Sequence, residues 1–306
     1  MKKIVPILLL LTLLTVSSCG LPDFLQRTPE GYVRHCVYLL DRDGLYADTP
    51  EWKAKKKEIL AEAKSITTLD EAHDLVQTAA KVAGGKHSFL IPPVTDTTAY
   101  QEFPPEVQPL EGNILLVKLP AHTGVKISDS LYVHTVLDFL LEHLDATGVI
   151  VDLRDNTGGN MGPMITAVSP LLPDGIVLKF KSRKRTIPIG LSNLANTYNV
   201  FPEKLGKVPS STPIAILTND WTGSSGEATL LCFRGLDNAQ TFGGPSAGYA
   251  SGNVTHTLSD GYRFAITRSC DVARTGEIFC DDPIEPDVAT ETPLEDAIDW
   301  ILSLKR

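Results

Sequence analysis

An α/β domain behind a small helical N-terminal region is the fold class the sequence predicts, and three observations predict it. From residue 113 onward, short apolar strand patterns and amphipathic helix patterns alternate, as they do around a largely parallel sheet. Before residue 91, three helical patterns follow in a row. Two of the apolar strands, at 148–153 and 213–218, run directly into loops rich in Gly, Asn and Ser, the kind of junction at which α/β sheets place their sites.

The first helical pattern covers 28–40, the second 50–65 and the third 68–82. Thr68-Leu69-Asp70-Glu71 has capping-box spacing at the start of the third, and Gly84-Gly85 stops it. Residues 91–112 hold several prolines and little apolar repetition, which reads as a linker loop. Strands are then expected at 113–119, 148–153, 176–181 and 213–218, with helices at 128–144, 161–172 and 224–236. Shorter strands around Gly-rich turns fill 241–267, and an amphipathic helix at 293–304 closes the chain. The expected organisation is a signal peptide at 1–18, a tether at 19–26, a helical region at 27–90, the linker at 91–112 and an α/β domain at 113–306.

Composition narrows the partners. A length of 306 residues with 42% hydrophobic content suits one large domain with an annex or two small ones. The net charge of -9, with Lys and Arg interspersed, argues against nucleic acid, whose backbone calls for a clustered basic surface. The densest basic runs, 53–57 and 179–185, read as solvated faces.

Lys2 and Lys3 precede an apolar run at 4–16 that is too short for a spanning helix and suits a signal-peptide core. It ends in Val16-Ser17-Ser18-Cys19-Gly20, which resembles the bacterial lipobox, where the Cys is lipidated and becomes the mature N-terminus. The expectation is a bacterial cell-envelope lipoprotein held to the membrane through lipid on Cys19. It would face the periplasm or the cell surface, on the outer membrane in preference to the inner. Export permits disulfides, and of the five cysteines Cys270 and Cys280 flank Arg274-Thr275-Gly276, a hairpin-like segment, so they form the expected pair. Cys36 and Cys232 sit in apolar helical patterns as free thiols, and neither C-x-x-C nor H-x-x-x-H spacing occurs, so no metal or other cofactor is expected.

Ser224 opens the helix after the 213–218 strand. Ser224 and Glu227 have capping-box spacing, so Ser224 alone is either a cap or a nucleophile. Gly158-Gly159 after the 148–153 strand is either a turn or an anion-binding loop, and neither junction matches a nucleotide-binding motif. Taken together, four segments in order carry more: Asp152-Leu153-Arg154-Asp155-Asn156-Thr157-Gly158-Gly159-Asn160, Gly223-Ser224-Ser225-Gly226-Glu227, Phe242-Gly243-Gly244-Pro245-Ser246-Ala247-Gly248 and Pro283-Ile284-Glu285-Pro286-Asp287. Their order and spacing resemble the C-terminal-processing (tail-specific) and tricorn-type serine peptidases, from about His87 to the C-terminus. The resemblance implies a ClpP/crotonase-like α/β catalytic domain, a polypeptide substrate and an acyl-enzyme mechanism. It places the nucleophile at Ser224, with Ser225 as its neighbour. A helix N-terminus favours the developing negative charge, and the amides of Ser225 and of Gly158 or Gly159 would form the oxyanion hole.

The resemblance departs at the base. Tail-specific peptidases use a Lys, but Tyr249 stands at that position and Asn253 at the position of the following Gln. The tricorn-like branch uses a His, and Gly84-Gly85-Lys86-His87-Ser88 resembles its segment, which implies His87 as the general base. Lys86 beside it would lower the imidazole pKa. Of the other histidines, His35, His73, His134 and His143 lie in helical patterns as surface or packing residues, and His122 and His256 have no flanking motif. The resemblance also puts an acidic third member near Asp281 or Asp282, although Cys280 falls on the acidic position itself. About two dozen residues separate His87 from the strand at 113, too few for a PDZ domain. Two other readings share these residues: a non-catalytic ligand- or peptide-binding protein on the same fold, and an acyl or ester hydrolase.

Overall fold

The structure, a computed structural model, describes residues 27–93 and 101–304. The signal segment, Cys19 and the tether lie outside the described residues. The chain divides into two compact units. One takes 27–93 together with Val254–Ile266, and the other takes the remainder of the described chain.

The first unit is built on helices α1 (Pro29–Asp43), α2 (Pro50–Glu62) and α3 (Leu69–Gly84), followed by strand β1 (Phe89–Ile91). Each helix starts on a threonine whose hydroxyl accepts an otherwise orphaned N–H: Thr28 from Gly31, Thr49 from Trp52 and Thr68 from Glu71. At α3 the Glu71 carboxylate answers by accepting the Thr68 N–H at 3.0 Å, so the expected capping box is complete. Tyr32, Leu39, Leu40, Trp52, Ile59 and Val76 form the core, which also takes in Leu258, Phe264 and Ile266. These last three explain why Val254–Ile266 belongs here rather than to a continuous 113–306 domain. Their side chains need a core, and the helices supply it. His73 fulfils the packing expectation: its Nε2 lies 2.7 Å from Asp260 and its ring stacks on Tyr262.

The second unit runs β2 (Glu106–Leu110), β3 (Ile114–Lys118), α4 (Asp129–Glu142), β4 (Gly148–Asp152), α5 (Met161–Ala167), β5 (Ile176–Ser182), β6 (Thr186–Gly190), α6 (Leu191–Thr197), β7 (Ile214–Thr218), α7 (Ser225–Phe233) and β8 (Ala239–Gly243). β9 (Ser251–Thr257) and β10 (Arg263–Val272) have residues in both units, and β11 (Ile278–Phe279), β12 (Val288–Ala289) and α8 (Pro293–Ser303) complete the chain. The main sheet has the order β12-β8-β7-β4-β3-β2, parallel throughout except for antiparallel β2. Leu115, Val117, Val149, Val151, Ile214 and Ile216 pack on one face among Val133, Leu137, Met164 and Leu230. Ile114, Ile150, Ala215 and Leu217 pack on the other with Ala297 and Ile301 of α8. Burial on both faces is why β4 and β7 read as unbroken apolar runs. In a second sheet β5 pairs antiparallel with β6, and with β10 at Ser269–Val272; β10 pairs with β1 at Arg263–Ala265.

Three expectations are corrected. The linker at 91–112 contains β2, an exposed edge strand that tolerates Pro109 because an edge leaves alternate N–H groups unpaired. The 161–172 helix stops at Ala167 and a 3-10 turn over Ser169–Leu171 follows, because Pro170 cannot continue an α-helix. β6 and α6 occupy a stretch in which no element was expected. Cys270 and Cys280 are disulfide-bonded across the β10–β11 hairpin, with Cα atoms 4.6 Å apart, and Cys36 and Cys232 are free and buried. Among the described residues no helix is long and apolar enough to cross a membrane.

Candidate active site

β4 and β7 are parallel neighbours, with Asp152 opposite Leu217, so their carboxyl ends deliver two loops to the same place. The loop after β4 begins with Asp152, buried and clamped by the Arg154 guanidinium at 2.7 Å. The turn after β7 is tied by Asn219, whose Oδ1 accepts the N–H of Asp155 at 3.0 Å and of Trp221 at 3.1 Å. Between the two loops stands Asn156, fully buried. Its carbonyl accepts the Gly223 N–H at 2.9 Å, its Oδ1 accepts the Gly158 N–H at 3.0 Å, and its Nδ2 donates to the Leu119 carbonyl at 2.8 Å.

Ser224 sits where this turn meets α7. It is the one half-exposed residue in a stretch, 222–233, that is otherwise buried. Its φ of 52° with ψ of -114° is unlike the extended backbone of the caps at Thr28, Thr49, Thr68 and Ser128. A non-glycine residue held there stores about 1–3 kcal/mol of strain, a feature of functional turns between strand and helix. Holding it is Glu227, itself buried, whose carboxylate accepts the N–H groups of Ser224, Gly248 and Tyr249 at 2.8 Å each, together with the Ser246 hydroxyl. Burial raises the Glu227 pKa, and these bonds, which favour the charged form, pull against the rise. The segment that carries Tyr249 at the lysine position of the tail-specific branch is thereby anchored through its backbone.

Gly158 lies flush against the serines. A Cβ on it would come within 2.7 Å of Ser224 Cβ and 3.0 Å of the Ser225 nitrogen. Its N–H is engaged by Asn156, whereas the N–H groups of Gly159 and Ser225 have no hydrogen-bond partner among the described residues. Of the two glycines, Gly159 is therefore the one with a donor to offer. Its carbonyl accepts the Ser225 hydroxyl at 2.7 Å.

The structure thus brings Ser224, Ser225, Gly158 and Gly159 together within one unit. His87 belongs to the other unit, on the turn between α3 and β1. Burial and the neighbouring Lys86 lower its pKa from 6.5 to about 4, so the imidazole is neutral at physiological pH. Asp281 and Asp282 lie in the segment after β11, Asp281 half-buried and Asp282 exposed. The motifs reveal neither Asn156 as a hub nor any role for His122. His122 is fully buried, its Nε2 lies 2.7 Å from Asp129, and its main chain bridges the Gly158–Asn160 loop.

Residues 114–290, more than half of the chain, match the family Peptidase family S41. The chain belongs to peptidase family S41. It is 37% identical over 281 residues to the "Nisin-resistance protein" of Lactococcus lactis subsp. lactis, covering 90% of this chain and 88% of that one. A solved lipoprotein from Streptococcus agalactiae is similar at 31% identity, with a TM-score of 0.80 over 90% of this chain and 96% of that one. The photosystem II D1 C-terminal processing protease shares the fold at 11% identity, with a TM-score of 0.61 over 89% and 97% of the two chains. The mixed α/β fold is that of S41 peptidases, and the resemblance read from the four motifs is met.

Proposed function

We propose that the chain is a lipid-anchored serine endopeptidase of the cell envelope, with Ser224 as nucleophile and His87 as general base. The single observation that carries the reading is the strained, half-exposed Ser224 at the N-terminus of a buried helix, packed against Gly158, with the N–H groups of Ser225 and Gly159 engaged by no other residue among those described. In the first step the Ser224 Oγ bonds to the substrate carbonyl carbon while its proton passes to His87. The carbonyl oxygen becomes an oxyanion held by the Ser225 and Gly159 N–H groups, with the positive end of α7 adding to the field. Collapse breaks the C–N bond as His87 returns the proton to the leaving amine. Water then repeats the sequence against the acyl-enzyme and releases the acid. A neutral imidazole is what the first step requires, and a pKa of about 4 keeps His87 in that form. Asp281 is a better candidate than Asp282 to orient that ring, because shielding from water strengthens a carboxylate's hold.

The basic, apolar and Val-Ser-Ser-Cys sequence at the N-terminus supports lipidation at Cys19, and the similar streptococcal chain is named a lipoprotein. For the substrate, the lactococcal relative named for nisin resistance points to nisin. Incubating nisin with the wild-type chain, Ser224→Ala and His87→Ala, and reading the products by mass spectrometry, tests this. Cleavage products are expected from the wild type alone. Intact nisin with all three would remove nisin as the substrate, and cleavage by Ser224→Ala would remove the mechanism.

A further inference from the structure

The direction of the Gly159 N–H can be traced to one residue outside the four motifs. His122 donates its N–H to the Gly158 carbonyl at 3.1 Å and accepts the Asn160 N–H on its own carbonyl at 2.6 Å, an isolated parallel bridge centred on Gly159. Across a planar trans peptide the C=O and the following N–H point in opposite directions. The Gly158 carbonyl faces His122, so the Gly159 N–H faces away from it. By the same rule the Gly159 carbonyl faces away from His122, and it is found on the Ser225 hydroxyl. The approach is so close that a Cβ on Gly159 would lie 2.0 Å from the His122 oxygen.

The His122 side chain is held as well, through burial and one ring nitrogen. It is fully buried, its ring packs on Tyr132 at 4.4 Å between centroids and its Nε2 meets Asp129 at 2.7 Å, while its Nδ1 lies 3.2 Å from Glu102 without a hydrogen bond. Glu102 is itself held by four backbone N–H groups, those of Thr123, Gly124, Lys126 and Ile127. Burial pushes its pKa up, but these bonds outweigh it and bring the carboxyl to about 2, so Glu102 is ionised. The part of the loop between His122 and α4 is wound around this carboxylate.

We propose that His122 is a positioning residue for the oxyanion hole: buried on Tyr132 and bonded to Asp129, in a loop gathered around Glu102, it holds Gly159 in a strand-like bridge that aims the Gly159 N–H at the oxyanion. This rests on the reading of Ser224 as nucleophile. Two variants test it. His122→Phe keeps a ring on Tyr132 and removes the hydrogen bond to Asp129. Asp129→Asn weakens that bond at a side chain 39% exposed, so it preserves the fold if the buried replacement does not. The readouts are the second-order rate constant for labelling by a fluorophosphonate, and the affinity of a peptide aldehyde, whose tetrahedral adduct carries an oxyanion. Loss of one oxyanion donor lowers turnover roughly 100- to 1,000-fold. A misaimed donor is expected to lower the labelling rate of the folded protein by about 10- to 100-fold, with aldehyde affinity falling in parallel. A purely structural role would reduce the amount of reactive protein and leave the rate constant of the folded fraction alone. Labelling rate and aldehyde affinity within about twofold of wild type in the folded variants would overturn the proposal while leaving Ser224 in place. A wild type that does not react at all would overturn both.

Discussion

The Gly159 carbonyl accepts a hydrogen bond from the Ser225 hydroxyl at 2.7 Å, which assigns different work to two adjacent serines. Ser225 contributes its side chain to holding the glycine loop, and its N–H has no partner among the described residues. Ser225→Ala keeps that N–H and loses one hydrogen bond, so it should cost about 1 kcal/mol of stability and retain at least roughly a tenth of the activity. Ser224→Ala should abolish activity at unchanged stability. Urea denaturation and peptide turnover on the two variants check this, and the reverse pattern would make Ser225 the nucleophile.

Glu227 accepts four donors with two oxygens. Glu227→Gln replaces one oxygen by an NH2 group that cannot accept, so two donors lose their partner inside the protein. With each unsatisfied buried group costing about 1–3 kcal/mol, a loss of about 2–6 kcal/mol is expected, together with a fall in turnover as the Ser224 turn relaxes. A denaturation midpoint equal to wild type would show that the carboxylate is not what holds the turn.

With His87 as the proposed base, the pH profile follows from its pKa. Its pKa is lowered to about 4, and protonation removes the base, so kcat/KM should be flat at neutral pH and fall only as pH drops through about 4. Removing the Lys86 charge takes away one of the two lowering influences, so Lys86→Gln should move this acid limb upward, still short of 6.5 because burial remains. His87→Ala should lower turnover by several orders of magnitude. An acid limb near 6.5 in the wild type, or one unmoved by Lys86→Gln, would separate the base from this residue.

Trp221 is the largest exposed apolar side chain in the turn before Ser224, at 62% exposure, and its backbone is pinned by Asn219. A rigid turn displaying an aromatic ring suits contact with a peptide chain. Trp221→Ala should raise KM by roughly 10-fold, about 1.4 kcal/mol, with kcat little changed. An unchanged KM would make the exposed ring incidental.

Much of the fold and of the serine loop is legible in the amino-acid sequence. β4 and β7 stand out as apolar runs because both faces are buried, and the Gly-rich loops after them because a close approach leaves no room for a Cβ. β2 is hidden by Pro109 and its exposure, since an edge strand lacks the apolar alternation of a half-buried one. The β9–β10 tip cannot be assigned to the helical core from Leu258, Phe264 and Ile266 alone, because an apolar pattern states a need for burial and not its location. His122 is invisible for a deeper reason. Its hold on Gly159 runs through main-chain atoms that every residue has, and the loop that carries it is gathered by Glu102, which lies about twenty residues earlier in the chain.

At the N-terminus, metabolic labelling with a fatty-acid probe should mark the wild type and fail on Cys19→Ala. Equal labelling of both would remove the lipid anchor.

The most direct measurement is reaction of the full chain with a fluorophosphonate, followed by mass spectrometry of the labelled peptide. One adduct per chain is expected, on Ser224, with none on Ser224→Ala and slow labelling of His87→Ala. An adduct on Ser225 or elsewhere, or equal labelling of wild type and Ser224→Ala, would contradict a peptidase built on Ser224.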